Sequence, residues 1–131
     1  MRLLVRSIMS FSLAAVALGC SDSTTQSESV ARRLVGTWDE PLAIPGEALE
    51  LVLATHNTTV SGTGTFSHEA QGSGTVTVAG AVSGSTIDFD VTFDYGAVMH
   101  FRGNLAGATL NGIWYSVPVG DPTNIVFDKV Q

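Results

Sequence analysis
Thr86-Ile87-Asp88-Phe89-Asp90-Val91-Thr92-Phe93 alternates polar and apolar residues without a break. A period of two puts Ile87, Phe89, Val91 and Phe93 on one face and Asp88 and Asp90 on the other, as an extended strand does. Residues 75–82 follow the same rule, with Val76, Val78, Gly80 and Val82 on one side. Leu49, Leu51 and Leu53 form another inward row with Glu50 outside, and Val60, Gly62, Gly64 and Phe66 form a fourth. Further strands are expected at 34–40, 98–105, 109–117 and 124–130. Gly, Asn, Asp, Ser or Pro stands at most of the junctions. The only helical signal is a single turn over Ser29 to Arg33, with Ser29 as its cap.

An internal repeat supports a meander. Gly80-Ala81-Val82-Ser83-Gly84-Ser85-Thr86-Ile87 matches Gly103-Asn104-Leu105-Ala106-Gly107-Ala108-Thr109-Leu110 as G-x-[VL]-[SA]-G-[SA]-T-[IL]. The offset suits a hairpin with its turn and is too short for a solenoid or propeller unit. The second glycine of each copy is expected in a tight turn with positive φ. Eight antiparallel strands with short sequential links point to an all-β, up-and-down β-barrel, which leaves no exposed sheet edge. The alternative is a β-sandwich, which usually needs a long crossing link. The longest links here run from Pro41 to Glu47, Ser67 to Gly72 and Pro118 to Thr123.

The chain opens with Arg2 and Arg6, an apolar stretch from Ile8 to Leu18, and then Gly19-Cys20. A short apolar run behind basic residues, ending at a small residue, has the form of a secretory signal peptide, and it is too short to span a membrane. Residues 21–29 contain no apolar side chain and are expected to form a solvated tether. The expected organisation is a signal peptide over 1–19, an anchor and tether over 20–30, and a barrel domain over 31–131. Beyond the leader, Arg32, Arg33, Arg102 and Lys129 stand against twelve Asp and Glu, a formal charge of −8. Such an acidic surface repels phosphate backbones, so no nucleic-acid partner is expected.

Cys20, the only cysteine, follows a small residue at the leader boundary, and the segment resembles a bacterial lipoprotein signal. That resemblance implies acylation at Cys20, a partner in the membrane through the acyl chains, and a cell-envelope address with the outer membrane favoured by Ser21 at the second mature position. Multiple chains anchor stably at about 0.8 kcal/mol per buried methylene. With Cys20 acylated, neither a disulfide nor a thiol nucleophile is available.

Gly36-Thr37-Trp38 on the first expected strand resembles the G-x-W of lipocalins and the wider calycin group. The resemblance covers the architecture of 34–130 and rests on these three positions. It implies that Trp38 closes one end of the barrel and that a basic residue from the last strand, here Lys129, packs over its ring. The inward rows also contain Leu34, Met99, Phe101, Leu105, Leu110, Trp114, Ile125 and Phe127. An eight-stranded barrel either fills itself or holds one small molecule. Inward glycines serve both readings, as room for a ligand or as points of sharp coiling.

Candidate chemistry is sparse. His56, His68 and His100 lack metal-ligand spacing and read as solvated imidazoles. Asp88, Asp90 and Asp94 lack the glycine and final Glu of a calcium loop and read as solvated carboxylates. Gly72-Ser73-Gly74 is not a nucleophile elbow, and nothing brings Asp39, Glu40 or Glu47 together as a hydrolytic pair. No enzyme, metal or cofactor is therefore expected. The leading expectation is a binding module holding a small apolar ligand among Trp38, Phe89, Phe101 and Trp114. The alternative is a structural or interaction protein with a filled core and an exposed patch near Tyr95 or Ile113-Tyr115.

Overall fold
The computed structural model describes residues 18–40, 48–70, 72–118 and 120–130. The apolar leader through residue 17 and the link from Pro41 to Glu47 lie outside the described residues. A helix, α1 (Leu18–Leu34), precedes the strands β1 (Gly36–Asp39), β2 (Ala48–His56), β3 (Thr59–His68) and β4 (Gly72–Ser83). These are followed by β5 (Thr86–Phe93), β6 (Val98–Ala106), β7 (Thr109–Ser116) and β8 (Thr123–Val130). Each strand pairs antiparallel with the next, and β8 returns to β1 through Trp38↔Lys129, closing an eight-stranded up-and-down barrel. That closing pair distinguishes the barrel from a sandwich.

The alternation seen in the sequence is the inside and outside of this barrel. Ile87, Phe89 and Val91 are buried on β5, and their cross-strand neighbours on the inner face of β4 are Val82, Gly80 and Val78. The repeat has a physical basis at both of its glycines. Gly84 and Gly107 occupy the β4–β5 and β6–β7 turns with φ of 61° and 64°. A Cβ on Gly80 would overlap the carbonyl oxygen of Asp88, and one on Gly103 that of Asn111, each eight positions along the chain. The inward glycines thus let adjacent backbones coil closely, and they do not hollow the core.

The amino-terminal segment departs from expectation. Residues read as a tether lie within α1, and Ser29 sits inside the helix rather than at its cap. The reason is a stripe at helical spacing: Ser27, Val30, Ala31 and Leu34 are buried together, which a period of 3.6 allows. This face plugs the barrel end where the β2–β3, β4–β5 and β6–β7 turns gather, and Gly84 N–H donates to Ser27 Oγ at 2.7 Å. The helix carboxyl end is tied down as well. Trp38 Nε1 donates to Leu34 O at 2.8 Å and Lys129 Nζ donates to Arg33 O at 3.1 Å. Two carbonyls left open at a helix end are thereby satisfied. Lys129 Nζ also lies 5.6 Å from the centre of the Trp38 ring, as the G-x-W resemblance implied. The Lys129 stem crosses Gly36, where a Cβ would meet Lys129 Cε at 2.8 Å.

Candidate ligand pocket at the open end
The lower half of the barrel is solid. Phe89 stacks on Phe101 with centroids 4.7 Å apart, and Phe127 meets the Phe101 ring edge-on at 5.9 Å. All three are buried, as are Trp38 and Leu51. Above them, at the end opposite α1, the interior opens into a cavity of about 320 Å³. Its apolar wall is built by Leu49, Phe66, Phe93, Met99 and Trp114 from five different strands, with Tyr95 and Ala97 from the β5–β6 turn. Glu40, Ser67 and His68 bring polar groups to the rim.

The aromatic side chains brace one another. Phe66 meets Phe93 at 5.1 Å and Tyr95 at 5.5 Å, both edge-on. Such pairs add about 0.5–1.5 kcal/mol beyond area burial. Tyr95 is 50% exposed at the mouth. The turn that carries it is held by Phe93 N–H to Ala97 O at 2.8 Å and Gly96 N–H to Phe93 O at 2.9 Å.

Of the side chains expected to bind a ligand, only Trp114 lines this cavity. Trp38 is at the plugged end, and Phe89 and Phe101 belong to the packed core. Phe66, Phe93 and Met99 were legible as inward residues, but their level along the barrel axis was not. That level depends on strand stagger, which parity alone does not give.

A second cluster lies on the outer wall. His100 Nδ1 is 2.6 Å from Asp90 Oδ1, and His100 Nε2 is 2.7 Å from Asp88 Oδ1. Arg102 Nε stands 3.8 Å from Asp88 Oδ2. His100, Asp88 and Asp90 are therefore not the separately solvated groups expected from the sequence. The register pairs Asp90 with His100 and Asp88 with Arg102. Asp94 is elsewhere, its Oδ2 accepting from Thr75 N–H at 2.9 Å. Both imidazole nitrogens can donate to carboxylates only in the protonated ring. Burial pulls the His100 pKa down, but hydrogen bonds and charge from Asp90 and Asp88 together raise it above 6.5.

A raised histidine pKa stabilises the fold most below the unfolded value and loses that contribution as pH rises through the folded value. Stability is expected to fall on going upward from pH 6.5, and His100→Ala should flatten that slope. Because Asp90 is half exposed, the effect should stay within about 1 kcal/mol. Urea melts across the neutral range measure it, and an unchanged slope in the variant would count against the assignment.

Among the described residues no group of three or more His, Cys, Asp or Glu is placed to hold a metal ion. No helix among them is long and apolar enough to cross a membrane. No known family model, curated protein or solved structure matches the chain.

Proposed function
We propose that this is a lipid-anchored, non-catalytic binding protein of the cell envelope that holds one small apolar molecule in the open half of its barrel. The observation that carries the reading is the cavity itself, a hollow of about 320 Å³ with an aromatic wall at the barrel end opposite α1. Its volume lies at the lower end of the range for small-molecule sites, about 300–1,000 Å³. The solid lower half supports a ligand confined to the mouth, as opposed to one threaded through the barrel. Anchorage is proposed at Cys20, on the strength of the leader pattern.

N-phenyl-1-naphthylamine, an uncharged apolar fluorophore, tests the pocket. It is expected to quench Trp114 emission saturably, and Ala97→Phe should weaken binding at least tenfold by filling the mouth. Equal binding by the variant, or none by the parent up to the solubility limit of the dye, would overturn the reading and favour a surface-interaction role. The anchor is tested separately. Labelled palmitate should enter the parent chain in a bacterial host and fail to enter Cys20→Ser, and incorporation into both would exclude that cysteine as the attachment point.

A further inference from the structure
The cavity is shallow. Each of the five strands that build its apolar wall gives one inward side chain: Leu49, Phe66, Phe93, Met99 and Trp114. The next inward position on each strand already belongs to the packed interior. Leu51, Val91 and Phe101 are fully buried there, and the other two positions are glycines whose space is taken. The Val76 side chain lies 3.1 Å from where a Gly64 Cβ would stand, and the Phe101 ring lies 2.8 Å from that of Gly112. Successive inward residues are about 7 Å apart along a strand. The hollow is therefore one side-chain layer deep, with Tyr95 and Ala97 of the β5–β6 turn above it.

Depth and volume together select a shape. An apolar cavity of about 150 Å³ holds one benzene ring, so about 320 Å³ matches two fused rings with a small substituent. A long acyl chain has no such fit. It would stop at the packed layer, and every methylene left in water forfeits about a fourfold gain in affinity. The wall favours rings on chemical grounds as well. Phe66 stands at 71° to both Phe93 and Tyr95, and Trp114 lines the cavity from β7. An aromatic guest that pairs edge-on or offset with one of these rings gains about two- to tenfold over aliphatic surface of equal area.

We infer that the cavity takes a compact aromatic molecule of one or two fused rings and rejects long acyl chains. This inference rests on the ligand-pocket reading above. Uncharged alcohols of two shapes test it: 1-naphthalenemethanol on one side, and 1-hexanol, 1-octanol and 1-decanol on the other. Binding to the full chain in uncharged lipid nanodiscs is measured by calorimetry. Affinities refer to the free aqueous concentration, fixed from empty nanodiscs run in parallel, and Ala97→Phe should remove the heat that belongs to the mouth.

The naphthyl alcohol is expected to bind at least tenfold more tightly than 1-octanol. Along the straight-chain series a site of unlimited depth would gain about fourfold per methylene. Here the gain should stop at the packed layer, leaving 1-decanol within about twofold of 1-octanol. If affinity keeps climbing with chain length, or if 1-octanol equals the naphthyl alcohol, the ring inference is overturned and the pocket reading stands. If neither the ring alcohol nor any chain alcohol binds, both fail together.

Discussion

Gly80→Ala is expected to cost about 3 kcal/mol or more and to broaden or abolish the cooperative unfolding transition. One methyl group is a small addition, but at this position it has no soft neighbour. The new Cβ would overlap the carbonyl oxygen of Asp88 and crowd the backbone of Phe89 on the adjacent strand. Overpacking a well-filled core usually costs about 1–3 kcal/mol, through rotamer and backbone shifts. Here the obstacle is a ladder carbonyl, so relief requires separating β4 from β5 or slipping their register. A slip by one residue would turn Ile87, Phe89 and Val91 outward. Gly96→Ala is the matched comparison, with φ of 101° but open space around it. It should cost only about 1 kcal/mol, from backbone conformation alone. Denaturant melts of both variants decide the matter. Similar values for the two would mean that β4 and β5 can move apart cheaply.

The second large effect is expected at the plugged end. Trp38→Ala should destabilise the chain by about 4 kcal/mol, in the range for truncating a buried aromatic residue. Trp38 is fully buried, and its Nε1 bond to Leu34 O joins the helix end to the first strand. The ring is also the surface over which Lys129 lies. Trp38→Phe retains much of the packing and removes the hydrogen bond, so it should cost about half as much. Leu34 O would then depend on water, and an unsatisfied buried acceptor costs about 1–3 kcal/mol. Near-ultraviolet circular dichroism and urea melts measure both variants. If Trp38→Phe matched Trp38→Ala, the hydrogen bond would outweigh ring volume. If both were near neutral, the helix would not be closing the barrel energetically.

The strands were legible in the sequence because parity is a local property. The rows through Val76–Val82 and Ile87–Phe93 needed no knowledge of their neighbours, and the paired glycines of the repeat marked two hairpins. Only a turn of the helix, Ser29 to Arg33, was legible, because residues 21–29 are polar, and the contribution of their described side chains to the buried stripe is the hydroxyl-bearing Ser27. Val30, Ala31 and Leu34 complete that stripe in a stretch too short to signal a helix by itself. The His100 cluster depended on register: Asp88, Asp90, His100 and Arg102 were each visible as outward residues of a hairpin, but their partners follow only from where its turn is centred. The candidate pocket was the least legible part. Phe89, Phe101, Phe66 and Phe93 are all apolar and inward, yet the first two belong to the core and the last two to the cavity. Their height along the axis, which separates them, is a property of the whole closed sheet.

The plug also determines how the barrel is carried. Because α1 runs unbroken from Leu18 to Leu34 and is tied to the barrel at Ser27, Trp38 and Lys129, the chain supports the barrel on a stem instead of a string. Residue 20 stands about 10 Å of helix from the buried side chain of Ser27. A hold on the stem would therefore set the heading of the mouth, and turning the stem would turn the mouth with it. A flexible leash would let the opening sample every direction. A helical mount, held at both edges of the barrel end, would remove that freedom.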